Sequence, residues 1–181
     1  MLYIGVDLGT SAVKLLLMDE MGEIKKITSR EYGLEFPHPG WSQQNPYDWF
    51  TQSMDGLKEL LADCDKSQVA GISFGGQMHG LVVLDEKDQV IRPAILWNDG
   101  RTVKQTDYLN NVIGKDKLSE YTANIAFAGF TAPKILWMKE EEPENFAKIK
   151  KICCRRTIWH IASADLSART IPTPPACCFW M

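Results

Sequence analysis

From Leu2 to Asp7 strand-forming residues alternate, and the pattern resumes from Val13 to Met18 after Leu8-Gly9-Thr10-Ser11, so the chain opens on a hairpin. Met21-Gly22 supplies a second turn, and Glu23 to Tyr32 reads as a third antiparallel strand. Pro37, Pro39 and Gly40 end the ladder, because proline has no N–H to donate and glycine favours a turn. Asn45-Pro46 predicts a helix start, a capping side chain followed by proline in the first turn; Phe50, Met54, Leu57 and Leu61 then share one face, which carries the helix to about Ala62. Val69 to Phe74 predicts a buried strand and Gly75-Gly76 a break. Leu81 to Leu84 and Val90 to Leu96 predict two more strands around a turn at Asp85 to Gln89. Helical patterns follow from Arg101 to about Asn111, from Lys115 to Glu120, and from Thr131-Ala132-Pro133 through Ile135, Trp137 and Met138 to the acidic Glu140 to Glu142. Three antiparallel strands, a helix and another strand make an α/β order.

With 181 residues, 45% hydrophobic and 24% charged, the chain suits one sizeable core. Its net charge of -3 gives no basic field for a nucleic-acid backbone or an anionic membrane, so neither is expected as a partner. No stretch approaches the roughly 18 apolar residues that span a bilayer, and no basic leader precedes a long apolar run, which makes a cytoplasmic location the expectation. Of five cysteines only Cys64 lies in the first 152 residues. Cys153, Cys154, Cys177 and Cys178 form two adjacent pairs that fit neither zinc spacing nor a disulfide framework.

After Ile152 the texture changes to Cys-Cys-Arg-Arg and a proline-rich end without helical or strand period. Codons can be chosen for Cys153 to Met181 that, shifted by one base, spell Met-Leu-Pro-Lys-Asp-Tyr-Leu-Ala-Tyr-Arg-Leu-Ser-Gly and a further protein-like run. The expectation is a single-base frameshift near the Ile152 codon, which would account for both texture and end. The expected organisation is a partial domain over residues 1–152 and a frameshifted, disordered tail over 153–181.

Three segments carry candidate chemistry. In Asp7-Leu8-Gly9-Thr10-Ser11, Gly9 permits a tight turn whose amides can face phosphate oxygens, and the Thr10 and Ser11 hydroxyls add donors. Asp7 could hold Mg²⁺ through water, and Lys14 could reach towards phosphate. Gly75-Gly76-Gln77-Met78-His79-Gly80 offers close backbone approach and, in Gln77 and His79, the directional hydrogen bonds that sugar hydroxyls require. Pro93 to Arg101 ends in a polar turn at Asn98-Asp99 before a helix. Each segment alone also fits a plainer description: a surface hairpin, a solvated loop histidine, a helix cap.

Together, Asp7 to Ser11, Gly76 to Gly80 and Trp97 to Arg101, with Gly40 to Pro46 and Gly129 to Lys134, resemble the FGGY family of sugar kinases, most closely its xylulokinase branch. The resemblance covers residues 1 to 152 and continues in the restored frame. It implies an actin-like, ribonuclease H-like ATPase fold, of which this chain is an incomplete first domain of two. It further implies ATP and Mg²⁺ as cofactors and D-xylulose as the sugar phosphorylated, with a homodimer for the full-length enzyme. Asp7 is then important for activity near metal and phosphates, Gly9, Thr10, Ser11 and Lys14 line the phosphate side, and Gln77, Met78 and His79 contact the ketose, with Asn98 and Asp99 close by. The family's general base, an Asp in a Gly-Gly-Gly-Asp-like motif, does not occur in this sequence. Inactivity of the isolated chain follows as an expectation. A ribulose, gluconate or glycerol kinase of the same family, or a non-enzymatic actin- or Hsp70-like nucleotide module, are the alternatives.

Overall fold

Strands β1 (Leu2–Leu8), β2 (Ala12–Asp19) and β3 (Ile24–Glu31) form the expected antiparallel meander. The structure, a computed structural model, describes residues 1–155. A fourth strand, β5 (Val69–Gly76), lies parallel to β1, giving the order β3-β2-β1-β5. Alternation decides the faces: Ile4, Val6, Leu8, Val13, Leu15 and Leu17 are all buried on one side. Tyr3 and Asp7, with Lys14 and Met18 opposite them in register, lie on the other.

Helix α1 (Pro46–Leu60) connects the meander to β5 and covers β2 and β3. Its Asn45 cap accepts from the Tyr47 amide at 3.1 Å. The buried face differs from the expected one. Trp49, Ser53, Gly56 and Leu60 meet the sheet, one position away from the apolar row Phe50, Met54, Leu57 and Leu61, which is only half-buried. Close packing explains the shift, since a Cβ at Gly56 would stand 2.5 Å from Leu15 Cδ1, so small residues let the helix settle on the sheet. The apolar row instead borders a groove of about 480 Å³, in which Met54, Leu57 and Leu61 face Ile4, Val69 and Ile72 at the open edge of β5.

Gly75 and Gly76 do not break β5. They pair with Asp7 and Leu8, and a Cβ at Gly76 would lie 3.1 Å from Leu8 Cβ, so glycine here serves close strand approach. The expected strand over 90–96 shrinks to β7 (Ala94–Ile95), which pairs with β4 (Gln43–Gln44), while Val90 makes only a bridge to Leu84 and Pro93 intervenes. Strand β6 (Val82–Leu84) is buried and pairs with β8 (Lys151–Cys153), an element the sequence pattern missed.

The helix expected over 101–111 is a short α2 (Val103–Asp107) running into a π-helical segment, Tyr108–Gly114, and then α3 (Lys115–Thr122). Helix α4 (Thr131–Glu141) matches expectation; α5 (Pro143–Ala147) was not anticipated. Trp137 and Met138 of α4 pack with Leu81, Val83 and Ile95 into a second core. Strand β8 runs across the expected boundary at Ile152, and residues 156–181 of the expected tail lie outside the described residues. Among the described residues no helix is long and apolar enough to cross a membrane.

The face assignment predicts contrasting costs in one sheet. Leu15→Ala, at a fully buried position, should lower the stability measured by urea unfolding by about 2–5 kcal/mol. Ile27→Thr, where the side chain is 62% exposed, should change it by no more than about 0.5 kcal/mol.

Candidate active site

The three candidate segments meet at the hydroxyl of Thr10. That hydroxyl donates to Gln77 Oε1 at 3.1 Å and accepts, at the long distance of 3.4 Å, from the indole of Trp97. The turn after β1, the loop after β5 and the turn before α2 thus share one surface, with the Gln77 amide also donating to the Leu8 carbonyl at 3.4 Å. Asp7 and Lys14 are opposite each other in the β1–β2 register and exposed, as is Ser11. Gly75 runs beside Asp7, where a Cβ would approach Oδ1 to 3.7 Å.

The Gly9 to Ser11 turn is held by its carbonyls. Tyr32 Oη and the Arg155 guanidinium donate to the Gly9 oxygen, Gln44 Nε2 donates to the Thr10 oxygen at 2.8 Å, and the Tyr32 amide donates to the Ser11 oxygen at 3.1 Å. In a trans peptide the N–H points opposite to the C=O, so anchoring these oxygens aims the Thr10, Ser11 and Ala12 amides away from the anchors. Gly9 does not have a left-handed backbone; the constraint is space, since a Cβ there would lie 3.0 Å from the Ala12 oxygen.

Gln44 is the keystone of this framework. It is buried, its Oε1 accepts from Trp49 Nε1 at 3.0 Å and from Arg155, and its Nε2 also reaches the Gly33 oxygen at 2.9 Å. Arg155, in the segment expected to take no part in the site, packs its guanidinium over Trp49 with 4.1 Å to the ring centroid and donates to Gln77 Oε1 at 3.4 Å. Burial lowers its pKa to about 10. Burial likewise raises the Tyr32 phenol to about 12, with Arg155 opposing and Asp7 adding to the rise.

In the loop after β5, Met78 is exposed and His79 half-buried. His79 takes a left-handed conformation, φ 68°, and its ring stacks on Phe130 at 4.5 Å. Burial, then the charge of Lys134, holds the imidazole below its usual range, which favours the neutral ring with one donor and one acceptor. The Lys134 amine donates to the His79 oxygen at 2.8 Å and the Gly129 oxygen at 2.6 Å, and burial pushes it down to about 7.

Asn98 is exposed on the neighbouring turn, whereas Asp99 departs from its expected place in the sugar pocket. Its Oδ2 accepts from the Ser42 amide at 2.6 Å and Arg101 Nη2 at 2.8 Å, and its Oδ1 from Arg101 N and Nε, both at 2.9 Å. A carboxylate with four donors and 2% exposure is a strut beneath the turn. Arg101 in turn lies 4.0 Å from the Trp41 ring centroid and 5.0 Å from that of Trp137.

Sequence reasoning missed Gln44, Tyr32, Lys134 and Arg155 as site supports. The signal available for two of them was position: Gln44 and Lys134 sit inside the segments 40–46 and 129–134 already singled out by resemblance. No cluster of three or more His, Cys, Asp or Glu side chains able to hold a metal occurs among the described residues.

An antiparallel meander extended by a parallel strand, with a turn of anchored carbonyls at its end, is the first-domain architecture of an actin-like ATPase. Residues 2–161 match the N-terminal domain of the FGGY family of carbohydrate kinases, and the chain belongs to that family. It is 47% identical to the xylulose kinase of Lactococcus lactis over 152 residues, covering 82% of this chain and 30% of that protein. For the xylulose kinase of Bacillus subtilis the identity is 48% over 147 residues, covering 80% and 29%. The crystal structure of xylulose kinase from Rhodospirillum rubrum matches with a TM-score of 0.85 at 26% identity, over 89% of this chain and 33% of that one. The chain thus spans under a third of the length of these two sequence relatives.

Removing one partner of the Asp99–Arg101 pair strands a charge whose side chain is fully buried. Asp99→Ala should therefore destabilise the fold by roughly 3–5 kcal/mol in urea unfolding, far more than an exposed pair such as Lys58–Asp55, which should cost under about 1 kcal/mol.

Proposed function

We propose that this chain supplies the sugar-facing and phosphate-facing wall of an ATP-dependent kinase that phosphorylates D-xylulose at its 5-hydroxyl. The observation that supports the reading is the convergence of turn, loop and tryptophan on Thr10, with the turn read as a phosphate cradle next to the loop read as polyol-binding. Family membership and the similarity to xylulose kinases support the substrate.

In this reading Gln77 and the neutral His79 ring hydrogen-bond ketose hydroxyls, exposed Met78 packs on the carbon skeleton, and Asn98 closes the side, with Asp99 acting through the turn it holds. Gly9, Thr10 and Ser11 present amides and hydroxyls to the phosphates, and Lys14 faces the same space as Asp7. When bound, Mg²⁺ supplies charge neutralisation between phosphates, and Asp7 is the residue that would hold it through water.

Phosphoryl transfer asks chiefly for positioning and electrostatics, and a positioned base adds about 10²–10⁴-fold. The Gly-Gly-Gly-Asp-like motif that carries the base in this family does not occur in the sequence, so turnover is allotted to a polypeptide of the relatives' full length.

An NMR titration of the 181-residue chain tests the assignment. D-xylulose should shift the Gln77 to Gly80 amides and the Trp97 indole, whereas glycerol, gluconate and ribulose should shift them less. Gln77→Ala should weaken D-xylulose binding roughly threefold to tenfold, the worth of one hydrogen bond. A coupled ATP assay should register no turnover by the chain alone. Preferential shifts with gluconate or glycerol would overturn the substrate, and phosphorylation of D-xylulose by the chain would overturn the allotment of the base.

A further inference from the structure

A lysine with 0% exposure is unusual, because an amine leaves water only where its donors are matched. Lys134, in the first turns of α4, has its two hydrogen bonds on main-chain carbonyls, those of His79 and Gly129 at 2.8 and 2.6 Å. Asp99 and Arg101 are the charged groups that act on it from beyond hydrogen-bond range. An apolar side chain of similar length would fill the same space without the desolvation cost, so what the amine adds is the pair of carbonyl bonds.

Those two carbonyls belong to segments that need holding. His79 is left-handed at φ 68°, a conformation that a non-glycine residue keeps only where its surroundings impose it. Gly129 is wedged against the Trp97 backbone, where a Cβ would come within 2.5 Å of the carbonyl oxygen, and Trp97 carries the indole that reaches Thr10. Phe130, next in the chain, stacks on the His79 ring. One amine therefore ties together the loop after β5, the turn bearing Trp97 and the start of α4.

We propose that Lys134 is the positioning residue of the Gln77 to Gly80 loop, fixing its left-handed turn so that Gln77 and His79 face the ligand before it binds. The role in ligand binding rests on the sugar-kinase reading; the clamp itself does not. Preorganisation of this kind lowers the ordering cost at binding.

The test compares wild type with Lys134→Met by amide hydrogen exchange and by D-xylulose titration. The variant should lose at least tenfold protection at Gln77 and Leu81, the amides at either end of the loop that donate to the Leu8 and Ile95 carbonyls, while β2 and β3 keep theirs, and its D-xylulose affinity should fall about tenfold. A merely structural lysine would lower protection evenly across the sheet, and that result, or an unchanged loop, would overturn the proposal. Should Lys134→Met fail to fold, the wild-type amine decides: at a pH low enough to protonate it, its protons should exchange more slowly than those of exposed Lys58 in ¹⁵N-lysine NMR, and exchange as fast as that of Lys58 would reject the clamp. If wild type binds no D-xylulose, the sugar reading fails while the exchange comparison still judges the clamp.

Discussion

The hydroxyl of Thr10 can donate once and accept, and it does both across the chain, to Gln77 67 residues away and from Trp97 87 residues away. Everything else at the site arranges for that hydroxyl to stand where it does. Beneath it, the carbonyls of Gly9 and Thr10 are bound by Tyr32, Gln44 and Arg155, so the turn has little freedom to move away from the loop it faces. Buried polar groups of this sort stabilise only when fully matched, and Gln44 is matched through both its oxygen and its nitrogen.

The same economy recurs on the other side of the loop. Asp99 accepts from Arg101 and from the Ser42 amide, and the Arg101 guanidinium lies over the Trp41 ring. Lys134 fixes two carbonyls at once. Two polar frameworks, one under the turn and one under the loop, leave Asp7, Lys14, Met78 and Asn98 exposed on the surface between them. Hydrogen-bonded supports inside and exposed polar groups outside are the arrangement that the proposed binding role calls for.

Much of this was legible from the sequence, for definable reasons. The meander of β1, β2 and β3 follows from alternation punctuated by turn residues, and α1 from its cap and proline. Gly75-Gly76 was misjudged because glycine both ends strands and permits close pairing, and only the neighbouring β1 decides which. The face of α1 was misjudged because Ser53 and Gly56 bury well without looking hydrophobic, whereas Met54, Leu57 and Leu61 line an open groove. At the site the three segments could be named from their residue types. Their convergence on one hydroxyl could not, since it depends on contacts distant in sequence, and Lys134 reads locally as an ordinary surface residue of a helix.

The coupling of the Thr10 turn to the Gln77 loop is the central claim, and a double-mutant cycle with Thr10→Val and Gln77→Leu, read by urea unfolding, addresses it directly. The account predicts non-additivity of about 0.5–1.5 kcal/mol, the worth of a hydrogen bond lost only once. Strictly additive effects would mean that the two side chains do not meet and that turn and loop are separate surfaces.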